Sequence, residues 1–440
     1  MPAPRTPADR PSADRPSADR PGRARRALPL ALSSTAAATA AALVTAAVLP
    51  AAPVDVARAD TVQLTAGVQS VAYAQAVSAA AATTPKVTLV ATGGTISGFA
   101  QGRETFTNYR SGSITGEQMV DYLQPELAGV ADVDVVQFGN AGSSGYSIEQ
   151  YRELTLVVEE ALETSDGVVV TTGTDTQEEF AYWLDLTVQS PEPVVTTGAM
   201  RPSSTPDGDV VFGADGPANL FNAIKLAGSQ ATYCYGTVLM MNDEVFAGRD
   251  VTKTSSYRTD TFQAREYGVL GWIDGPEITM GRATPRVQSC DAPEEWATPF
   301  DMSTVAAEDL ARAEVVPSYQ DAGGEAITAF AEAGVQGIVT AGTGAGGISP
   351  DQRTARAAAL EAGTVFVTTT RTGSGSVYGG GDGVIAGGDL LPQKARLLLL
   401  LGLTFAPGDV EQVRTWFDTV GNPDFTTVAA PAAPAGDAPA

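Results

Sequence analysis

Short, unbroken apolar runs, many rich in valine and separated by stretches with helical spacing, set the plan of this chain. The runs Lys86–Val90, Val133–Phe138, Gly167–Thr172, Pro193–Thr197, Gly236–Met241, Gly337–Ala341 and Thr364–Thr369 predict strands. They lack apolar–polar alternation, as expected of strands covered on both faces. Helical signals fall between them. Ser147 with Gln150 forms a capping box ahead of Ile148, Tyr151, Leu154, Val158 and Leu162. Thr176 with Glu179 offers a second box, and Pro217 after Asp215 opens a helix over Asn219–Ala227. Ser349-Pro350 starts another, and Gln393–Leu403 reads as a long apolar helix. This alternation predicts an α/β fold, with a larger N-terminal domain whose mainly parallel sheet is flanked by helices and a smaller C-terminal α/β domain.

The periodic pattern fails between Thr284 and Asp309, where Pro285, Pro293, Glu294, Glu295 and Pro299 crowd together. The expected division is therefore 85–285, a linker at 286–309, and 310–425. Ahead of these domains, Arg23, Arg25 and Arg26 precede an alanine-rich apolar stretch, Ala27 to about Pro53, and Ala57-Arg58-Ala59 forms a small-x-small cleavage site. Residues 1–59 thus read as an export signal behind a low-complexity extension in which Pro-Ser-Ala-Asp-Arg repeats. A membrane anchor fits less well, because the stretch is mostly Ala with Ser and Thr and holds no Ile or Phe. Residues 60–84 read as a flexible leader and 426–440 as a disordered tail. The expected location is secreted, or a periplasm-like envelope space.

Charge narrows the partners. The net charge is −24, and the first 59 residues hold eight arginines against four aspartates, so the remaining 19 basic and 47 acidic residues give −28. Such a surface disfavours nucleic acid and anionic membranes and suits a small-molecule substrate. The two cysteines, Cys234 and Cys290, suit either one disulfide or two buried thiols, and with no histidine they make a zinc site implausible. The missing histidine also excludes Ser/His/Asp and Cys/His chemistry, leaving a threonine nucleophile helped by lysine, tyrosine or carboxylate.

Two threonine–glycine strings, Ala91–Ile96 and Thr171–Thr176, each follow a predicted strand, where open α/β sheets bind ligands. Gly93-Gly94-Thr95 reads equally as a tight turn or as a backbone that approaches a ligand and presents a hydroxyl. Thr174 and Asp175 precede a helix start. If Thr176 and Glu179 supply the cap, both are free to act on substrate, Asp175 by holding an ammonium. The chain has four lysines, and Lys253 lies among hydroxyls in Gly248–Ser255, as a relay base or as a solvated loop lysine. Gly98–Thr115 is polar, glycine-punctuated and carries Phe106, Asn108 and Tyr109, as a lid would.

Taken in order, Ala91–Ile96, Thr174–Glu179, Gly198–Ser203, Ala214–Leu220, Gly248–Thr254 and Pro392–Arg396 resemble the secreted (type II) bacterial L-asparaginase family, from about Val87 to Phe417. The resemblance implies that Thr95 is the nucleophile and Tyr109 the lid tyrosine that assists it. Thr174, Asp175 and Lys253 would form the second catalytic set, with Asp175 also holding the substrate's α-amino group. Gly142-Ser143-Ser144 corresponds to the family's α-carboxylate string, giving Ser143 and Ser144, the latter in place of a glutamine. The implied activity is hydrolysis of asparagine to aspartate and ammonia through a threonine acyl-enzyme, with glutamine a second amide left open. The implied assembly is a homotetramer whose sites are completed by a neighbouring small domain, and no metal or cofactor is expected. The chain departs from the family at Thr172, where a histidine is usual, and at Gly344–Gly347, where relatives often carry a side-chain donor. For the neighbour's glutamate, Asp382 is the nearest carboxylate. Two other classes compete. Gly342–Gly347 between a strand and a helix imitates a dinucleotide fingerprint, which would make the chain an NAD-dependent oxidoreductase. An exported amino-acid-binding protein without turnover is the other.

Overall fold

The computed structural model describes residues 84–425. The expected export signal, the C-terminal tail and all of the leader but Thr84 lie outside those residues.

Most of the apolar runs become buried parallel strands; the run Val133–Phe138 is the exception, because its strand lies at the sheet edge and buries no residue fully. Strand β1 (Lys86–Gly93) leads to a small ribbon of β2 (Phe99–Ala100) and β3 (Tyr109–Arg110), then helix α1 (Gly116–Tyr122) and β4 (Asp132–Ala141). Next come α2 (Ile148–Leu162), β5 (Gly167–Thr171), α3 (Gln177–Thr187), β6 (Val194–Thr197), α4 (Gly216–Gly228) and β7 (Thr237–Met241). The predicted Ser147–Gln150 box caps α2. Within the sheet the parallel strands lie in the order β4-β1-β5-β6-β7, so the chain reverses its direction of travel between β1 and β5. Ligands bind at such a switch point in open α/β sheets.

Three antiparallel strands, β8 (Glu244–Ala247), β11 (Gly271–Asp274) and β12 (Glu277–Met280), extend the sheet to eight and were not expected. Each is four residues long, too short for periodicity to register. The β7–β8 turn did carry a signal: Asn242 and Asp243 both adopt positive φ, as a two-residue primed turn requires. Between β8 and β11, β9 (Thr252–Lys253) pairs with β10 (Phe262–Gln263) as a separate ribbon.

Residues 285–309 form short helical turns, including α5 (Pro293–Trp296), that bury Trp296, Phe300 and Met302. Cys234 and Cys290 form a disulfide. The Trp296 indole N–H donates to the Cys234 carbonyl at 2.9 Å, and the Arg286 guanidinium lies 3.8 Å over the indole.

The second sheet is wholly parallel: β13 (Ala313–Pro317), β14 (Gly337–Gly342), β15 (Val365–Thr370) and β16 (Val384–Ala386). Its helices are α6 (Glu325–Glu332), α7 (Pro350–Glu361), α8 (Pro392–Phe405) and α9 (Val410–Thr419). Helix α8 is almost entirely apolar because it is covered nearly all round. Leu397–Leu401 share one core with Phe180, Tyr182 and Trp183 of α3, with Val339 and Val367 of the small sheet, and with Phe417 of α9. No helix among the described residues is long and apolar enough to cross a membrane.

Candidate active site

Three adjacent strand ends deliver the first components. β4, β1 and β5 are parallel neighbours, so the segments after them, 142–144, 94–95 and 172–175, emerge side by side. Gly93 and Gly94 turn the chain with φ of 113° and 83°. A side chain at Gly94 would place its Cβ 2.3 Å from the Gly173 nitrogen, so the two threonine–glycine strings meet back to back. The glycines are needed for this close approach as well as for the turn.

Thr95 opens a 3-10 turn and is buried, its hydroxyl 2.6 Å from the Tyr109 hydroxyl. The ribbon β2–β3 makes that contact by pairing Tyr109 with Ala100. On the other string, the Lys253 ammonium donates to Thr174 Oγ1 at 2.8 Å and to Asp175 Oδ1 at 2.7 Å. Thr174 is buried, whereas the Asp175 side chain is 77% exposed and Lys253 only 13%. Lys253 thus joins a buried hydroxyl to a carboxylate that faces solvent, through charge-assisted bonds. Ser143 is buried, and its Oγ accepts the Thr176 backbone N–H at 3.1 Å. Ser144, next to it, is exposed. Asp382 is exposed on the loop before β16.

The expected Thr176–Glu179 capping box does not form: the Thr176 side chain makes no cap bond to α3. Glu179 turns inward instead, where burial pushes its carboxyl up to about 7, opposed by Arg396 of α8 and assisted by Glu178. Asp175 and Thr174 are nevertheless engaged by Lys253 rather than by the helix start. Asp215 likewise forgoes the α4 cap, and its carboxylate accepts the backbone N–H groups of Met200 and Arg201, each at 2.9 Å.

Because the folded chain holds the Glu179 proton more tightly than an unfolded one, the contribution of Glu179 to stability falls as pH rises from 4.5 to about 7. The slope is at most about 1.4 kcal/mol per pH unit. Glu179→Gln should flatten that dependence, read as unfolding midpoints at pH 5 and pH 7.5. An unchanged slope would remove Glu179 as its source.

One supporting residue was visible in sequence only as a scarce lysine. Lys394 of α8 is buried, and its ammonium donates to the carbonyls of Gly248 and Arg249, each at 2.7 Å, and of Val251 at 2.6 Å. It fixes the backbone just ahead of Lys253. Burial pulls its pKa down to about 8, against the pull of Glu178 and Asp250. Arg249, which owns one of those carbonyls, pairs through its side chain with Asp250 and reaches Asp389 in the small domain. A lysine set in the apolar run Leu397–Leu401's own helix was the available signal: such a charge persists in a core only when well bonded.

The glycine string after β14 closes on itself, with Thr343 and Gly347 exchanging backbone bonds of 2.7 and 2.8 Å. Ser349 then caps α7, with Pro350 in its first turn. A helix start already occupied in this way offers little to a pyrophosphate.

Residues 86–286 match the family described as "Asparaginase, N-terminal", and 312–417 match the "Glutaminase/Asparaginase C-terminal domain". The chain is 36% identical over 340 residues to "L-asparaginase 2" of Bacillus subtilis, covering 76% of this chain and 86% of that protein. It is 37% identical over 344 residues to "L-asparaginase 2" of Escherichia coli, covering 76% and 94%. "Glutaminase-asparaginase" of Acinetobacter glutaminasificans is 31% identical over 343 residues, covering 75% and 98%. Among solved structures, the "Probable Cytoplasmic L-asparaginase from Campylobacter jejuni" superposes with a TM-score of 0.69 at 34% identity, covering 76% of this chain and 99% of that one. With both halves matched in chain order and relatives more than a third identical across some 340 residues, the chain belongs to the asparaginase family.

Proposed function

We propose that this chain hydrolyses the side-chain amide of L-asparagine to aspartate and ammonia, with Thr95 as nucleophile. The observation that carries this reading is the pairing of two hydroxyl sets at one switch point: Thr95 with Tyr109, and Thr174 with Lys253 and Asp175. Thr95 Oγ1 attacks the amide carbon while its proton passes to the Tyr109 oxygen or toward the Thr174–Lys253 pair. Backbone N–H groups of the glycine–threonine turns stabilise the oxyanion. The Gly94 N–H is not among them, being bonded to the Ala141 carbonyl at 2.9 Å. The C–N bond breaks, ammonia leaves with the transferred proton, and water cleaves the Thr95 ester to release aspartate. Asp175 holds the α-ammonium, and Ser143 and Ser144 take the α-carboxylate. No cofactor or metal enters these steps.

Glutamine is the second substrate of this proposal, in keeping with the relatives named glutaminase-asparaginase. The division at 85–285, 286–309 and 310–425, the homotetramer, and Asp382 as a carboxylate lent to a neighbouring site belong to the same reading. So does export behind a signal ending near residue 59. The disulfide favours an oxidising compartment, and a Haemophilus influenzae relative carries the label periplasmic, although the Campylobacter jejuni structure carries the label cytoplasmic.

Purified protein given asparagine should release ammonia and aspartate in equal amounts, without added nicotinamide cofactor, and a parallel glutamine assay fixes the ratio of the two activities. Tight binding of aspartate with no ammonia released would overturn the proposal and favour the binding-protein reading.

A further inference from the structure

We propose that the hairpin over Ser203–Gly213 is a latch that holds the lid closed and so sets Tyr109 against Thr95. The inference rests on the role given above to Tyr109.

The lid ribbon is not free-standing. Ala100 pairs with Tyr109 on one side, and on the other its N–H donates to the Ser204 carbonyl at 3.0 Å. Phe99 bridges Ser204 in parallel, and Ser204 pairs in turn with Val210. The latch therefore continues the ribbon sideways, and the place of Tyr109 is passed from Ser204 through Ala100.

The tip of the lid is gripped as well. The Arg103 guanidinium donates through Nε to the Val210 carbonyl at 3.0 Å, and its own carbonyl accepts the Phe212 N–H at 2.9 Å. The same guanidinium lies 4.6 Å over the Phe212 ring. A second contact of the same kind runs the other way, from Arg201 in the large domain to Phe106 in the lid, again at 4.6 Å. Two cation–π contacts with crossed polarity thus tie the lid, one to the latch and one to the arginine at its base. Phe212 is half exposed and belongs to no core cluster, so stabilising the core does not account for it.

The latch itself is anchored. Arg201 donates to the carbonyls of Phe212 and Gly213, and its backbone N–H is held by Asp215. The Asn219 amide donates to Asp215 and to the Gly198 carbonyl beyond β6. Asp215, which does not cap its helix, thus fixes the base of the latch to the sheet.

The test uses surface substitutions in the full chain. Phe212→Ala should lower kcat/KM for asparagine about two- to fivefold, the worth of one exposed cation–π contact in the closing equilibrium, with the unfolding midpoint unchanged. Phe212→Tyr should restore it, and trypsin should cut faster after Arg110 in the alanine variant. In a Tyr109→Phe background, Phe212→Ala should cause no further loss, because the latch acts through that phenol. The latch is overturned if Phe212→Ala matches the wild type while Tyr109→Phe is impaired, or if the two losses multiply. Full activity in Tyr109→Phe would remove the tyrosine's role, and the latch with it.

Discussion

Thr95→Ala lowers asparagine turnover by at least about a thousandfold, on the scale seen when a covalent nucleophile is removed. The substitution deletes a hydroxyl and a methyl from a buried turn whose course is set by Gly93 and Gly94, so the fold should persist. No imidazole exists anywhere in the chain to activate water in its place. Thr174 is the poorer nucleophile, because its oxygen already accepts a bond from the Lys253 ammonium, which draws electron density from it. The measurement is ammonia release under saturating asparagine, together with mass spectrometry of quenched turnover. The wild-type chain should carry an aspartyl ester on Thr95, and the variant none. Substantial residual activity, or an adduct on another side chain, refutes the assignment.

Lys253→Ala should cut kcat by about 10²- to 10⁴-fold, the usual range for loss of a positioned proton-transfer group, while aspartate affinity changes little. The asymmetry follows from exposure. Asp175 is mostly in water, so losing its cation leaves no buried unpaired charge and the carboxylate still meets an α-ammonium. Thr174, by contrast, is buried and loses the donor that orients its hydroxyl. Calorimetric titration with aspartate beside single-turnover acylation separates the two effects. Weakened aspartate binding with normal acylation would contradict the relay role.

Much of this was legible before any coordinates. Most of the parallel strands announced themselves as apolar runs, although the short β13 and β16 of the small sheet did not, and the threonine–glycine strings stood out because they end such runs. Strands β8, β11 and β12 escaped notice because four residues carry too little pattern, even where, as in β8 and β11, both strand edges are paired. The Thr176–Glu179 spacing misled, since a capping box and a buried carboxyl facing Arg396 look alike in sequence; only the packing of α3 against α8 separates them. Within the site, the contact of Tyr109 with Thr95 depends on ribbon pairing across a lid, which residue spacing does not encode. Lys394 was visible as a scarce lysine, yet its three carbonyl partners lie some 145 positions upstream.

That long-range tether bears on how far the enzyme can be made smaller. The residues proposed to touch asparagine within one chain all precede position 254, which invites truncation after the first domain. But the strut that shapes the backbone ahead of Lys253 is supplied from near the other end of the polypeptide. A shortened protein would keep every reacting group and lose the brace that aims one of them, so the two halves of this fold form one indivisible catalyst.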